Sequence, residues 1–390
     1  MTWADVPAGS DFPIENLPFG VVALADGRTG AVVRIGDSVL DLARAGIEPE
    51  LCGTGSLNAL LAAGRLGPVR LQAGEVLVGP EQPALLHPVD QVTVRLPFAV
   101  GDFTDFYSSL QHATNVGRLL RPDAPPLLPN WRQLPVGYTG RAGTVVVSGT
   151  PIARPRGLVS PDGGPARLHP TAALDFELEL GFVIGPGGTA IGPDEADGHV
   201  VGAVLLNDWS ARDIQAFEYQ PLGPHLAKSF ATTISPWVVT LDALAPYLVA
   251  PPSQAPPPDP YLQAARPWGL DVHLEVGLNG TTVTRTSFAS MYWTFAQQLA
   301  HLTVNGATVR PGDLIGSGTV SGTPAGEWGS LMEISQRGQE PLTLADGSTR
   351  TFLEDGDTVT MTGWAGRPGG PGFGFGECTG RIVPAIERGT

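Results

Sequence analysis

Hydrophobic and polar positions alternate over short stretches through most of this chain, and sustained three-and-four spacing is confined to a few segments. Between residue 21 and about 95, the runs Val21–Leu24, Ala31–Ile35 and Ser38–Leu42 are separated by glycine turns, and Leu57–Leu66 reads as one short helix. That pattern predicts a small β-barrel-like domain over residues 1–95, joined through Leu96–Gly101 to a second domain over 96–390. The longer part is again mostly strand-like, with strands expected at Thr144–Val147, Leu178–Ile184, Val200–Leu206, Trp237–Leu241, Leu270–Leu278, Thr281–Thr286, Thr358–Thr362 and Gly380–Val383. Two longer helices are expected near Asp105–Leu119 and Phe288–Leu302, and proline clusters at Pro122–Pro135 and Pro246–Pro260 mark long loops. Gly366–Gly376 lacks a following Lys-Ser/Thr and a helix, so it reads as a turn region, not a phosphate cradle. Without regular strand–helix alternation, a doubly wound parallel fold is disfavoured and the chain reads as mainly β.

Composition narrows the partners. Hydrophobic residues make up 42% of the 390 positions and charged ones only 16%, which suits a chain with a large buried core. A formal net charge of −15 repels phosphate backbones and argues against nucleic-acid binding, while leaving acids to hold a divalent cation. Met1–Gly20 has neither a basic region nor an apolar core, so no secretory signal is expected there. No apolar run approaches the roughly 18 residues of a membrane span. Cys52 and Cys378 are too far apart for a metal knuckle and too few for a disulfide framework, which points to a reducing cytoplasm.

Of the 23 basic side chains only one, Lys228, is lysine. It is either a residue left over in an arginine-biased chain or an ammonium kept for its compact charge and three donors. Its apolar setting, His225-Leu226-Ala227-Lys228-Ser229-Phe230, favours the second reading. In Leu174–Leu180 strict alternation puts Asp175, Glu177 and Glu179 on one strand face. Such a row is either the solvent side of an edge strand or one wall of a cation site. The company of Asp208, ending an apolar strand, and of Asp105, expected to open a helix, favours the cation, because clustered carboxylates repel one another without one. Hard oxygen ligands select Ca²⁺ or Mg²⁺ over zinc. Asp105 and His112 are seven residues apart and would share a helix face, as would Arg212, Gln215 and Tyr219. His87, His169, His199, His273 and His301 lack partner acids at ligand spacing and read as surface or satisfied core groups, with His225 left open.

Several motifs together carry a family likeness. Gly101–Gly117, Leu174–Glu179, Asn207–Gln215, Lys228–Trp237, Gly318–Gly322 and Gly329–Glu333 resemble, in order and over nearly the whole chain, the signature of the fumarylacetoacetate hydrolase family. The resemblance implies a small SH3-like barrel followed by a large mixed β-roll or β-sandwich catalytic domain, normally in a homodimer. It implies a hydrolase that acts on carbon–carbon bonds in ketonic substances and splits 4-fumarylacetoacetate into fumarate and acetoacetate, the last step of tyrosine and phenylalanine catabolism.

Carried over residue by residue, it implies Asp105, Glu177, Glu179 and Asp208 as ligands of Ca²⁺ or Mg²⁺. A second cation would lie beside Asp208, near Lys228 and Thr232, with a backbone carbonyl as the lysine's contact. His112 would be the general base, oriented by Glu333, and Arg212, Gln215 and Lys228 would hold charge on the departing fragment. Tyr107, Arg121, Tyr138, Gln215, Tyr219 and Thr319 would grip the diketo-acid substrate. Departures from the family pattern are Leu110 for a frequent arginine, Ala231 for a common glycine, and a less acidic loop at Thr323–Trp328. The alternatives are hydrolysis or decarboxylation of another acylpyruvate-type oxo-acid on the same scaffold, a Schiff-base aldolase built on Lys228, and a non-catalytic calcium-binding scaffold. The last leaves His112 and Lys228 without a purpose.

Overall fold

The computed structural model describes residues 2–160, 163–366 and 372–387. The chain is mainly β, with a small N-terminal sheet domain and a larger part built on two packed sheets. The small antiparallel sheet runs in the order Leu86–Pro88, Ser38–Asp41, Thr29–Ile35, Phe19–Ala23, Thr93–Arg95. Alternation explains its strands: Ala31, Val33 and Ile35 enter one core, whereas Val32 packs on the opposite face with Val22, Val39 and Trp237. The single helix expected at Leu57–Leu66 is instead two, Asn58–Ala62 and Leu66–Val78, separated by a turn with Gly64 at φ 62°. The second helix does carry a helical stripe, with Leu66, Val69, Ala73 and Leu77 buried. Gly67, Pro68 and Gly74 mask it, because they are poor helix formers.

In the larger part, neighbouring strands run Gly137–Thr139, Phe103–Phe106, Leu314–Gly316, Leu178–Ile184, Val200–Asp208, Thr232–Ile234 and Val145–Val147, with Val239–Thr240 pairing beside them. The central strands are buried on both faces. Leu180, Phe182, Ala203 and Leu205 point into the inter-sheet core, while Val183, Val204 and Leu206 meet the small domain. A second sheet (Thr281–Ser287, Val272–Leu278, Thr358–Gly366, Gly372–Val383, Ile152–Ala153) closes that core with Leu274, Val276, Met361 and Phe375. Of the glycine-rich Gly366–Gly376 run, 367–371 lie outside the described residues and 372–376 begin a strand.

Three expectations near the site are corrected. Asp105 does not open a helix: Phe103–Phe106 is a strand, parallel to Leu314–Gly316. The helix starts only at Leu110, where the Ser109 side chain accepts the His112 backbone N–H and caps it. The Leu174–Leu180 strand breaks after Asp175 and resumes at Leu178, so the three alternating acids do not share a face. The later helix is one 3₁₀ turn at Phe288–Ser290, followed by Phe295–Thr303 with Thr294 and Gln297 forming a capping box.

Candidate metal and active site

Four neighbouring elements bring four acids together. Asp105 comes from Phe103–Phe106, Glu177 from the residues just before Leu178–Ile184, Glu179 from that strand, and Asp208 from the end of Val200–Asp208. All four are buried, and one carboxylate oxygen from each lies within 4.8 Å of the others. Gly316 makes room for them: a Cβ there would sit 2.6 Å from Asp105 Oδ1 and 3.1 Å from Glu179 Oε2. Gly318, at φ 77°, turns its N–H onto Glu179 Oε2 at 2.9 Å, in a left-handed conformation that suits glycine.

The donor set fits a hard divalent cation. Asp105 Oδ1 and Glu179 Oε1 are buried and have no hydrogen-bond partner among the described residues. Burial, followed by repulsion from Asp208, pushes the Asp105 carboxyl well above the usual carboxylate range. Burial and then Asp105 do the same to Glu179. A dication would meet both needs, since it supplies the missing partner and removes the repulsion.

The other two acids are already paired. Lys228 Nζ donates to Glu177 Oε2 at 2.5 Å and to Asp208 Oδ2 at 2.6 Å. Arg212 Nη2 donates to Glu177 Oε1 at 2.6 Å, Tyr138 Oη to Asp208 Oδ2 at 2.7 Å, and Thr232 Oγ1 to Asp208 Oδ1 at 3.0 Å. Burial alone would raise the Glu177 carboxyl, but Lys228, Arg212 and His112 hold it well below the usual range. Burial likewise works against the Lys228 ammonium, yet Asp208, Glu177 and Asp105 raise it above the ordinary lysine range. A Schiff-base lysine must be available as a free amine; the two carboxylates on Nζ favour the ammonium instead.

His112 lies on the first turns of its helix, with Nδ1 2.6 Å from Glu333 Oε2. That carboxylate accepts the Nδ1 proton and leaves the Nε2 lone pair free. Glu333 is buried among donors: Asn115 Nδ2 at 2.9 Å, Ser321 Oγ at 2.9 Å and Ser330 Oγ at 2.8 Å. Burial opposes its charge, but His112 and these hydrogen bonds hold its carboxyl below the usual range. Nε2 sits 3.9 Å from Glu177 Oε1, and the Tyr107 ring stands edge-on to the imidazole at 5.3 Å.

A cavity of about 680 Å³ opens onto this group, lined by Asp105, His112, Glu177, Arg212 and Lys228. The expected substrate residues Tyr107, Arg121, Tyr138, Gln215, Tyr219 and Thr319 line it as well. Thr319 Oγ1 and Arg121 Nε are buried without partners among the described residues, whereas Gln215 Oε1 accepts from Arg212 Nη1 at 3.2 Å. His225 falls outside, in an adjoining recess of about 150 Å³ that it shares with Tyr138 and Lys228. Asp175 is parted from the acid cluster and turns to Arg212. Sequence reasoning missed Asn115, Ser321 and Ser330 around Glu333, and Arg337 and Phe352 on the cavity wall. For Ser330 a signal existed: Ser330-x-x-Glu333 is the spacing of a helix-capping pair.

Comparisons with known proteins place the chain in a family. Residues 102–383 match the family model described as fumarylacetoacetate (FAA) hydrolase C-terminal. The chain is 44% identical over 418 aligned positions to the fumarylacetoacetase of Rattus norvegicus, covering 99% of this chain and 100% of that one. The Arabidopsis thaliana fumarylacetoacetase is also 44% identical, with 98% of both chains covered. Among solved structures, a fumarylacetoacetate hydrolase from Exiguobacterium antarcticum shares the fold at a TM-score of 0.58, with 18% identity, 94% of this chain and 99% of that one covered.

Proposed function

The chain belongs to the fumarylacetoacetate hydrolase family, and from that membership we infer that it hydrolyses a carbon–carbon bond of fumarylacetoacetate, yielding fumarate and acetoacetate in tyrosine catabolism. The observation that carries this reading is the His112–Glu333 pair beside four buried carboxylates, of which Asp105 and Glu177 line the cavity.

Asp105, Glu177, Glu179 and Asp208 would hold a divalent cation, which would supply Lewis acidity toward the substrate's keto oxygens. The chain's own groups do the rest. His112 Nε2 takes a proton from water, and Glu333 keeps the opposite ring proton on Nδ1 and stabilises the imidazolium. The water oxygen attacks the ketone carbon on the fumaryl side. The carbon–carbon bond breaks, its electron pair leaves with the acetoacetate fragment as an enolate, and the imidazolium returns the proton to that carbon. Water is thus divided as hydroxyl on fumarate and hydrogen on acetoacetate.

Lys228 has three N–H donors and uses two on Glu177 and Asp208, which leaves one for enolate charge. Arg212 and Gln215 stand on the same wall for that charge, while Tyr107, Arg121, Tyr138, Tyr219 and Thr319 orient the substrate and its carboxylates. Ca²⁺ and Mg²⁺ both suit the oxygen ligands. For a second cation beside Asp208, the commitment of Nζ to the acids supports a backbone contact at Lys228, with Thr232 adjacent. Division into 1–95 and 96–390, a homodimer and a cytoplasmic setting complete the proposal; two buried free cysteines suit a reducing compartment.

Turnover of fumarylacetoacetate after EDTA treatment, with Ca²⁺ and Mg²⁺ restored in turn, tests the reading. Activity is expected to vanish and return, and undiminished rates in the chelated protein would overturn it. Faster cleavage of an acylpyruvate in parallel would move the assignment to that substrate.

A further inference from the structure

Asp175 is fully buried, yet it joins neither the metal-binding acids nor the cavity wall. Alternation alone would have aimed it with Glu177 and Glu179. The chain instead ends one short strand at Asp175, paired to Ser210, and starts the next at Leu178. The Asp175 carboxylate meets Arg212 and the backbone at Leu331 and Met332. There Oδ2 accepts Arg212 Nε at 2.8 Å and the Met332 backbone N–H at 3.1 Å, while Oδ1 accepts the Leu331 backbone N–H at 2.7 Å.

Those three bonds reach two catalytic arms. Arg212 opens the helix Arg212–Glu218 and lies in the cavity wall, with Nη2 on Glu177 and Nη1 on Gln215. Leu331 and Met332 form the first turn of the short helix Leu331–Ile334, whose third residue is Glu333, the partner of His112. One carboxylate therefore ties the cationic arm and the base-orienting arm into a common frame. A carboxylate does this without competing donors, since both of its oxygens accept. Burying it is costly unless its partners are fixed, and all three partners here are firm donors.

We propose that Asp175 is a positioning residue for the hydrolysis, locking Arg212 and the Glu333-bearing turn in register while touching neither substrate nor metal. The proposal rests on the functional reading above. It assigns the acid row of the sequence two roles: Glu177 and Glu179 to the cation site, and Asp175 to the alignment of the groups around it.

Asp175→Asn tests it. The amide keeps the shape and one accepting oxygen for Leu331 N–H, but presents N–H groups to Arg212 Nε and Met332 N–H, so donor faces donor. For interactions of this class, lost alignment lowers rate by about 10–100-fold. We expect kcat to fall by about that factor with KM within about threefold, and binding of Ca²⁺ or Mg²⁺ to stay at the wild-type level. In an Arg212→Lys background the same substitution should cost far less, because the two residues act through one contact. Wild-type kcat, or losses that multiply independently in the double variant, would overturn the proposal. So would an equal rise in KM with kcat unchanged.

A second readout needs no turnover. The Arg212 Nε–H proton, assigned by its loss in Arg212→Lys, should be protected from solvent exchange in the wild type and exposed in Asp175→Asn. Retained protection in the variant refutes the positioning role even if the wild type proves inactive toward fumarylacetoacetate. That inactivity alone would refute only the substrate assignment.

Discussion

Replacing Lys228 with methionine separates its pairing of the acids from its proposed hold on enolate charge. In metal-free protein, Lys228 Nζ neutralises Glu177 at 2.5 Å and Asp208 at 2.6 Å. Removing one partner of a buried ion pair costs about 3–5 kcal/mol. Glu177 keeps Arg212, and Asp208 keeps Tyr138 and Thr232, so the lower end of that range, about 3 kcal/mol, is expected. At roughly 2 °C per kcal/mol for a large domain, the EDTA-treated variant should melt about 6 °C below the wild type. Added Ca²⁺ or Mg²⁺ binds only the folded state and counters the exposed repulsion, so the deficit should shrink as metal approaches saturation. Turnover should not recover with it. Loss of a donor aimed at developing charge typically costs about 10²–10³ in rate, and metal content should stay intact. Thermal melts with and without metal, metal analysis and an absorbance assay of fumarylacetoacetate read all three quantities. Turnover within threefold of wild type would remove the ammonium from the chemistry. A melting deficit indifferent to metal would refute the charge pairing.

His112→Ala should abolish hydrolysis while fumarate and substrate still bind, as calorimetry would show; residual turnover above about 1% would point to another base. Gly316→Ala places a methyl group against Asp105 Oδ1 and Glu179 Oε2, so metal affinity should drop at least the roughly 10–100-fold seen for lost ligand support, measurable by titration calorimetry. In EDTA, the raised carboxyls of Asp105 and Glu179 make folding take up protons above about pH 4, the unfolded carboxylate range. Their stabilisation is present at low pH and lost as pH rises through the folded values. The metal-free melting temperature should therefore fall as pH rises above about 4 while the gain on adding metal grows, and a metal-free curve that rises there would contradict it.

Much of the scaffold was legible because its signals are local. Leu178–Ile184 is an apolar run that became a strand buried on both faces, and Arg212, Gln215 and Tyr219 do lie along one short helix and its cap. Asp105 was misplaced because its strand is made by distant partners: Leu314–Gly316, some two hundred positions on, outweighs the helical look of Asp105–Leu119. The break between Asp175 and Leu178 was likewise invisible, since period-two alternation continues through it and only the bridge from Glu177 to Ser330 reveals it. Ser321 and Asn115 reach Glu333 from separate segments, at separations no local spacing encodes. The family motifs grouped Asp105 with the other three acids where periodicity did not, because each motif brings a fixed set of neighbours along with the residue.

The four acids are not equivalent, and the difference shows where a cation would be needed. Lys228 and Arg212 reach Glu177, and Lys228, Tyr138 and Thr232 reach Asp208. No cationic side chain among the described residues donates to Asp105 or Glu179, whose Oδ1 and Oε1 have no partner. The carboxyl of Glu177 is held low, while those of Asp105 and Glu179 are driven high. Charge supplied by the chain therefore ends halfway across the cluster, and charge is missing on the side bounded by Gly316 and Gly318. A monovalent partner there would leave one of the two acids uncompensated, whereas a dication matches both. His112 approaches from the compensated side, with Nε2 near Glu177. Positive charge gained by the imidazole would thus meet the Glu177 carboxylate, as the proposed role of His112 as base requires.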